Sequence, residues 1–62
     1  MYEYRLRQEG LTVAQVSGNS DDQAQAEMMR YFHQYLEDGP TVVEKKTPKG
    51  RWKFFLEGSS NA

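Results

Sequence analysis

The sequence predicts an α+β domain, a two-layer β-β-α-β-β sandwich in which one helix packs on one face of a four-stranded, mainly antiparallel sheet. Two segments in which apolar and polar residues alternate come first, one amphipathic segment follows, and two more alternating segments come last. Alternation with a period of two is typical of half-buried strands, and apolar residues three and four apart are typical of an amphipathic helix. One helix of this length can cover one face of such a sheet.

The first two strands are predicted over residues 2–8 and 11–17, joined by a two-residue turn that begins at Glu9. Alternation places the apolar side chains of the first strand toward the helix and its arginines on the opposite face. A two-residue turn pairs Leu6 with Val13, and it requires a positive φ at Glu9 if the turn is of type I′.

The helix is predicted over residues 21–37, and its two ends have recognisable signals. Ser20 is a suitable N-cap, and Gln23, three residues later, can complete a capping box. Gly39 and Pro40 follow the last apolar position, where glycine accepts a left-handed backbone and proline stops a helix. The apolar positions that recur at helical spacing are Ala24, Met28, Tyr31, Phe32 and Tyr35.

The last two strands are predicted over residues 41–47 and 51–57, joined by a turn at residues 47–50. In this turn, proline pre-sets φ at its second position and glycine supplies the left-handed residue. Alternation across the hairpin places Trp52, Phe54 and Leu56 against the helix. The odd-numbered residues from 43 to 55 would then point away from the helix.

Length and composition limit what the chain can do. Its 62 residues allow one domain, residues 1–57, followed by a tail at residues 58–62 that we expect to be disordered. There is no cysteine and the only histidine is His33, so we expect no metal site, no cofactor and no catalytic activity. No apolar run reaches the roughly 20 residues of a membrane span. We expect a cytoplasmic protein.

Basic residues are concentrated at the end of the chain. Residues 1–44 hold three basic and eight acidic side chains, whereas residues 45–62 hold five basic side chains and one acidic side chain. Such asymmetry can mark an interaction surface. With the predicted faces, the candidate surface for a partner or a nucleic acid consists of Arg5, Arg7, Val43, Lys45, Lys49, Arg51, Lys53 and Phe55.

Two functions are compatible with this surface. A thin core, many aromatics and the outward positions predicted for Val43 and Phe55 indicate a non-catalytic interaction module that binds a protein or forms a homodimer. The alternative is nucleic-acid binding through the basic sheet face and the hairpin of residues 45–53, with cations on phosphates and aromatics on bases. The isoelectric point near 5.7 favours the first. A basic sheet face can also be a solvated surface that prevents aggregation.

Overall fold

The computed structural model describes residues 1–59 and has the predicted architecture. The four strands form one antiparallel sheet in the order β2-β1-β3-β4, and the helix packs on one of its faces. The predicted α+β fold is therefore confirmed, and the strand order, which the sequence left open, places β2 and β4 at the edges. The elements are β1 (Tyr2–Gln8), β2 (Leu11–Gly18), α1 (Asp21–Leu36), β3 (Thr41–Lys46) and β4 (Trp52–Gly58).

The predicted turns form as their residue types require. Glu9 and Gly10 both have positive φ values, 51° and 81°, which is the backbone of a type I′ hairpin turn. In the second hairpin, Gly50 has a φ of 83°, and its N–H donates to the carbonyl of Thr47 at 2.9 Å. In both hairpins, the residues of the turn itself therefore favour the backbone conformation that joins the two strands.

The start of α1 also matches its prediction. The hydroxyl of Ser20 accepts a hydrogen bond from the backbone N–H of Gln23 at 3.2 Å, which satisfies one of the free donors at the helix start. The side chain of Gln23 in turn accepts from the N–H of Asn19 at 3.2 Å. This reciprocal arrangement holds the loop between β2 and α1 against the first helical turn.

The core lies between α1 and the strands β1, β2 and β3. The helix packs over β1 and β2 and reaches β3 less extensively. From β4, only the half-buried Phe55 and Leu56 pack against the core. Among residues 1–59, no element covers the opposite face of the sheet. The buried hydrophobic side chains are Tyr4, Leu6, Val16, Ala24, Met28, Phe32 and Val43.

A β-bulge in β2 changes the predicted pairing of the first hairpin. Arg7 pairs with Thr12 as the two-residue turn requires, but Leu6 pairs with Ala14, so Val13 is an extra residue. The predicted pair of Leu6 and Val13 is therefore wrong. The bulge allows Val13 and Ala14 both to pack against the core, because a bulge interrupts the alternation of a strand.

A second bulge lies in β4. Glu44 pairs with Phe54 and Val43 pairs with Leu56, which leaves Phe55 as the extra residue. Phe55 and Leu56, although adjacent, both pack against the core. Each edge strand thus carries one bulge, and each bulge adds an apolar side chain to the helix side of the sheet.

The predicted faces of β3 are wrong. Val43 is fully buried in the core and Lys45 forms an ion pair with Asp21 of α1, so both lie on the helix side. The reason is the pairing of β3 with β1, which places Val43 beside Leu6. Paired residues share a face, and Leu6 is already committed to the core.

The predicted faces of β4 are wrong for all three of its aromatic residues. The Phe55 ring packs edge-on against Tyr4 with centroids 5.1 Å apart, so Phe55 lies on the helix side. Phe54 is 58% exposed, and Trp52 lies beside Arg5 on the other face. Leu56 packs against the core, because the bulge at Phe55 reverses the alternation between residues 54 and 56.

The predicted tail overlaps the end of the sheet by one residue. Gly58 is the last residue of β4, and a Cβ there would lie 3.1 Å from Cζ of Phe32. Residues 60–62 of that predicted tail lie outside the described residues. Within residues 1–59, no helix has both the length and the apolar character to cross a membrane.

Candidate functional site

The sheet face opposite α1 is the candidate site, and we call it the open face. Its residues alternate with the core residues along β1 and β3 and pair with one another across the sheet. The open face consists of Glu3, Arg5, Arg7, Thr12, Gln15, Ser17, Val42, Glu44, Lys46, Trp52, Phe54 and Glu57.

Ion pairs between β1 and β3 cross the middle of the open face. Arg5 Nε lies 2.6 Å from Glu44 Oε1, and Lys46 Nζ lies 3.4 Å from Glu3 Oε2. Each side chain is partly exposed, so each pair stabilises the fold by at most about 1 kcal/mol. They also give the middle of the open face a pattern in which each positive charge lies beside a negative one.

The open face has no excess of either charge. Arg7 adds a weaker contact to Glu44, at 3.8 Å from its terminal nitrogen, and the exposed Glu57 pairs with Val42 at the β4 edge. The three basic side chains are Arg5, Arg7 and Lys46, and the three acidic ones are Glu3, Glu44 and Glu57. A partner of uniform charge therefore gains little from this face.

Aromatic side chains occupy the β4 side of the open face. The guanidinium carbon of Arg5 lies 4.4 Å from the ring centroid of Trp52, and Lys46 Nζ lies 5.9 Å from the same ring. Phe54 pairs with Glu44 and is more than half exposed. Tryptophan, phenylalanine and arginine are among the residue types enriched in protein–protein interfaces.

The structure separates the residues that the sequence grouped into one surface. Arg5 and Arg7 lie on the open face, as predicted. Val43, Lys45 and Phe55 lie on the helix side, for the reasons given above. The exposed Lys53 pairs with Lys45 in the hairpin and shares its face, whereas Lys49 and Arg51 lie exposed at the hairpin turn.

The predicted faces leave the β3 and β4 residues out of the open face. Alternation across the second hairpin puts Trp52 and Phe54, with their β3 neighbours Glu44 and Lys46, on the helix side. In the structure, Val43 and Phe55 occupy that side. A usable signal was present: the charges of Glu3-x-Arg5 complement those of Glu44-x-Lys46 in an antiparallel pairing.

The helix side holds a polar cluster that ties α1 to β1 and β3. The Tyr4 hydroxyl donates to Asp21 Oδ1 at 2.5 Å, and Lys45 Nζ donates to Asp21 Oδ2 at 3.1 Å. Gln25 donates to both the Tyr4 hydroxyl and Asp21 Oδ2, each at 3.1 Å. Three elements thus converge on one carboxylate in the first turn of α1, where a negative charge is also favoured by the helix dipole.

These contacts shift the ionisation of the cluster. The hydrogen bond from Tyr4 is the main reason why the pKa of Asp21 is lowered from its usual 3.8, and Lys45 adds to the effect. Burial raises the pKa of Tyr4 above 10.0, and the hydrogen bond to Asp21 raises the pKa of Lys45. At neutral pH the cluster therefore holds a carboxylate, an ammonium and a neutral phenol.

We expect Tyr4→Phe to destabilise the fold by about 1–2 kcal/mol at pH 7, because the hydroxyl makes a hydrogen bond to a charged group. A lowered pKa at Asp21 means that its contribution is complete above pH 3.8 and is lost as the pH falls through the lower value in the folded state. The difference between the wild type and the variant should therefore shrink on acidification below pH 3.8.

Urea unfolding at pH 7 and at pH 3 measures both effects. Tyr2→Phe is the matched control, because Tyr2 is 43% exposed and its hydroxyl has no hydrogen bond among residues 1–59. A difference between Tyr4→Phe and the wild type that is the same at both pH values would contradict the assigned role of Asp21.

The fold and the open face define a class: an α+β sandwich with one helical layer, whose uncovered sheet face carries mixed charges and aromatic side chains. In residues 1–59, no three histidine, aspartate or glutamate side chains gather closely enough to hold a metal ion. Comparisons with protein-family models, with curated proteins and with solved structures find no match to this chain.

Proposed function

We propose that this chain is a small, non-catalytic interaction module that binds protein, in the first place a second copy of itself, through the open face. The observation that carries the proposal is a whole sheet face left uncovered by α1, on which Phe54 is 58% exposed beside Trp52 and Arg5. Aromatic side chains exposed on an uncovered sheet face gain free energy when a partner removes them from water.

The charge pattern of the open face supports a protein partner over a nucleic acid. Nucleic-acid binding draws its affinity from cations that neutralise phosphates. Here Arg5 and Lys46 are already paired with carboxylates of β1 and β3. Mixed charges suit a protein surface with a mixed pattern of its own, where they contribute specificity.

The edges of the sheet are poor sites for self-association. Both edge strands carry a bulge, at Val13 in β2 and at Phe55 in β4. Bulges interrupt the regular row of backbone donors and acceptors that a second strand needs. Lys53 also places a charge on the helix side of β4, which is a further device against edge pairing. Association should therefore use the face of the sheet.

The size of the open face sets the expected affinity. Four strands about 4.8 Å apart and about seven residues long, at about 3.3 Å per residue, present a face of about 20 by 23 Å. Such a face is at the small end of specific protein interfaces. We expect a reversible dimer with a dissociation constant in the micromolar range, of the order of 10–100 µM.

We expect Phe54→Glu to abolish dimer formation while leaving the fold intact, because it replaces an exposed aromatic side chain of the binding face with a charge that the partner would bury. Sedimentation equilibrium over about 10 µM to 1 mM measures this, a range that brackets the expected dissociation constant. Wild type should pass from monomer to dimer across the range, and the variant should stay monomeric.

Gln34→Glu is the matched control, since Gln34 is exposed on the outer side of α1 and the substitution adds the same charge. It should dimerise like the wild type. A wild type that stays monomeric at the highest concentration, or a folded Phe54→Glu variant that dimerises as well as the wild type, would contradict self-association through the open face.

A second candidate function rests on the hairpin of β3 and β4. Lys49, Arg51 and Lys53 are exposed and form no ion pair within residues 1–59. Together with Pro48 and Trp52 they line a mainly apolar groove. Unpaired cations beside an aromatic ring are the arrangement that binds single-stranded nucleic acid.

We expect any such binding to be lost in Lys49→Glu with Arg51→Glu and to weaken with salt. Three phosphate contacts predict a slope of log K against log salt of about −2 for a single strand. Fluorescence anisotropy with a labelled oligonucleotide measures both, and Arg30→Glu, a charge reversal on the exposed side of α1, is the control for charge reversal away from the hairpin. Binding that is independent of salt, or equal in all three proteins, would remove this function.

A further inference from the structure

We infer that the open faces of two copies pack against each other about a two-fold axis. The axis lies in the plane between the two sheets, runs parallel to the strands and lies over the line between β1 and β3. This inference rests on the proposed function, because it requires that the open face binds another copy. It adds the orientation of the dimer, and the orientation follows from where the charges lie on β1 and β3 and where the aromatic side chains lie on β4.

The central strands carry opposite charges at matching positions. Arg5 of β1 pairs with Glu44 of β3, and one step further along the strands Glu3 of β1 lies 3.4 Å from Lys46 of β3. The sign of the charge therefore alternates across the strands and along them. A second copy can therefore dock so that each of these four charges faces an opposite charge, provided that its orientation is suitable.

A two-fold axis parallel to the strands supplies that orientation. It exchanges the positions of β1 and β3 and keeps the position along the strand. Arg5 then faces the partner subunit's Glu44, and Glu3 faces the partner subunit's Lys46. Each ion pair within one chain becomes half of a group of four charges with alternating sign. The attraction within this group is stronger where the interface excludes water.

The same axis exchanges the edge strands β2 and β4. Phe54 then faces the partner subunit's Gln15, and Trp52 faces the partner subunit's Ser17, as the pairing of the four strands requires. The two aromatic residues of each copy thus cover the smaller, polar side chains of β2 in the other copy. They do not compete for the same space at the centre of the interface.

A two-fold axis that lies across the strands at the level of Arg5 and Glu44 gives the opposite result. It keeps each strand and exchanges positions along it, so residues at the middle of the face meet their own copies. Arg5 would face the partner subunit's Arg5, and Glu44 would face the partner subunit's Glu44. Like charges brought together in an interface are repulsive, so this orientation is disfavoured.

An axis across the strands midway between Arg5 and Glu3 would pair opposite charges, because Arg5 would face the partner subunit's Glu3. It would also stack Phe54 on the partner subunit's Trp52 at the β4 edge and leave the small β2 side chains facing one another at the other edge. The axis parallel to the strands instead packs large side chains on small ones, which gives the better complementarity of shape.

The test exchanges the two charges of one pair, Arg5→Glu with Glu44→Arg in the same chain. The ion pair within the chain is kept with its direction reversed, so the fold and the dimer of the double variant with itself should be retained. Wild type and double variant should not mix, because Arg5 would face the new arginine at position 44. The two chains have the same mass, so one is labelled with ¹⁵N and dimers are counted by native mass spectrometry.

If wild type and double variant are mixed in equal amounts and associate at random, half of all dimers contain one chain of each. We expect the mixed dimer to fall at least about fivefold below this share. A mixed dimer at or above the random share overturns the axis parallel to the strands. An axis across the strands at the level of Arg5 predicts enrichment, because Arg5 would then face the new glutamate at position 5. An axis midway between Arg5 and Glu3 predicts that the double variant does not dimerise with itself, because the new glutamate at position 5 would face the partner subunit's Glu3.

Two further results separate the inference from the proposed function. A folded double variant that fails to dimerise while the wild type dimerises overturns the inferred orientation alone. A wild type that is monomeric overturns self-association itself. If the first double variant does not fold, Glu3→Lys with Lys46→Glu makes the same exchange at the other ion pair. The axis parallel to the strands again predicts depletion of the mixed dimer, and a mixed dimer at or above the random share again overturns it.

Discussion

Val43→Asp is expected to unfold the domain at neutral pH. Val43 is fully buried between Leu6 of β1 and Leu56 of β4, and an ionised carboxylate there would have no partner. Burying an unpaired charge belongs to the small group of substitutions that cost more than about 4–5 kcal/mol. A single core in a chain this small supplies about 3–5 kcal/mol, so the folded state should no longer be populated.

Val42→Asp is the matched control, because Val42 is the neighbouring residue of the same type on the open face. It is half-buried and pairs with Arg7 of β1, so the new carboxylate lies beside a cation and water. We expect this variant to stay folded with a loss of about 1 kcal/mol or less. Far-UV circular dichroism and urea unfolding compare the two.

The reverse order of stabilities would contradict the structure. If Val42→Asp unfolded the domain and Val43→Asp did not, the faces derived from alternation across the second hairpin would be correct. The open face would then carry Val43 and Phe55 and would lose Trp52 and Phe54.

Gly18→Val is expected to destabilise the domain by about 2–3 kcal/mol, at the upper end of the cost of overpacking. A Cβ on Gly18 would lie 2.8 Å from the backbone nitrogen of Ala24 and 3.2 Å from its Cα. Backbone atoms cannot rotate away as a side chain can. Relief would require the start of α1 to move, although Ser20 and the bond between Tyr4 and Asp21 hold it in place.

Ser17→Val is the control for this substitution. Ser17 precedes Gly18 in β2, is exposed and points to the open face, so valine there should change stability by no more than about 0.5 kcal/mol. Urea unfolding of both variants at low concentration, where the chain is monomeric, makes the comparison. Equal stabilities of Gly18→Val and Ser17→Val would show that α1 can move away from β2 without cost.

The parts of the fold that the sequence predicted correctly depend on contacts between near neighbours. The positive φ values of Glu9 and Gly10 follow from a two-residue hairpin turn. The N-cap at Ser20 depends on Gln23, three residues later. Alternation also placed Arg5 correctly on the face opposite α1, because β1 contains no bulge.

The predictions about the candidate site that were wrong concern residues whose positions depend on contacts between distant segments of the chain. Nothing near Val43 in the sequence shows that β3 pairs with β1, yet that pairing brings Val43 beside Leu6 and into the core. Lys45 is on the helix side because Asp21, in another element, supplies its carboxylate. The extra residue in β4 then reversed the alternation between Phe54 and Leu56.

The sequence by itself thus determined the number, type and order of the elements, their turns and the helix cap, because interactions within a few residues set each of them. Only the tertiary structure decided which side of β3 and β4 faces α1. That choice depends on strand order and on one bulged residue, Phe55, whose ring packs on Tyr4. It moved Trp52 and Phe54 from the expected core to the open face, which is the proposed binding surface.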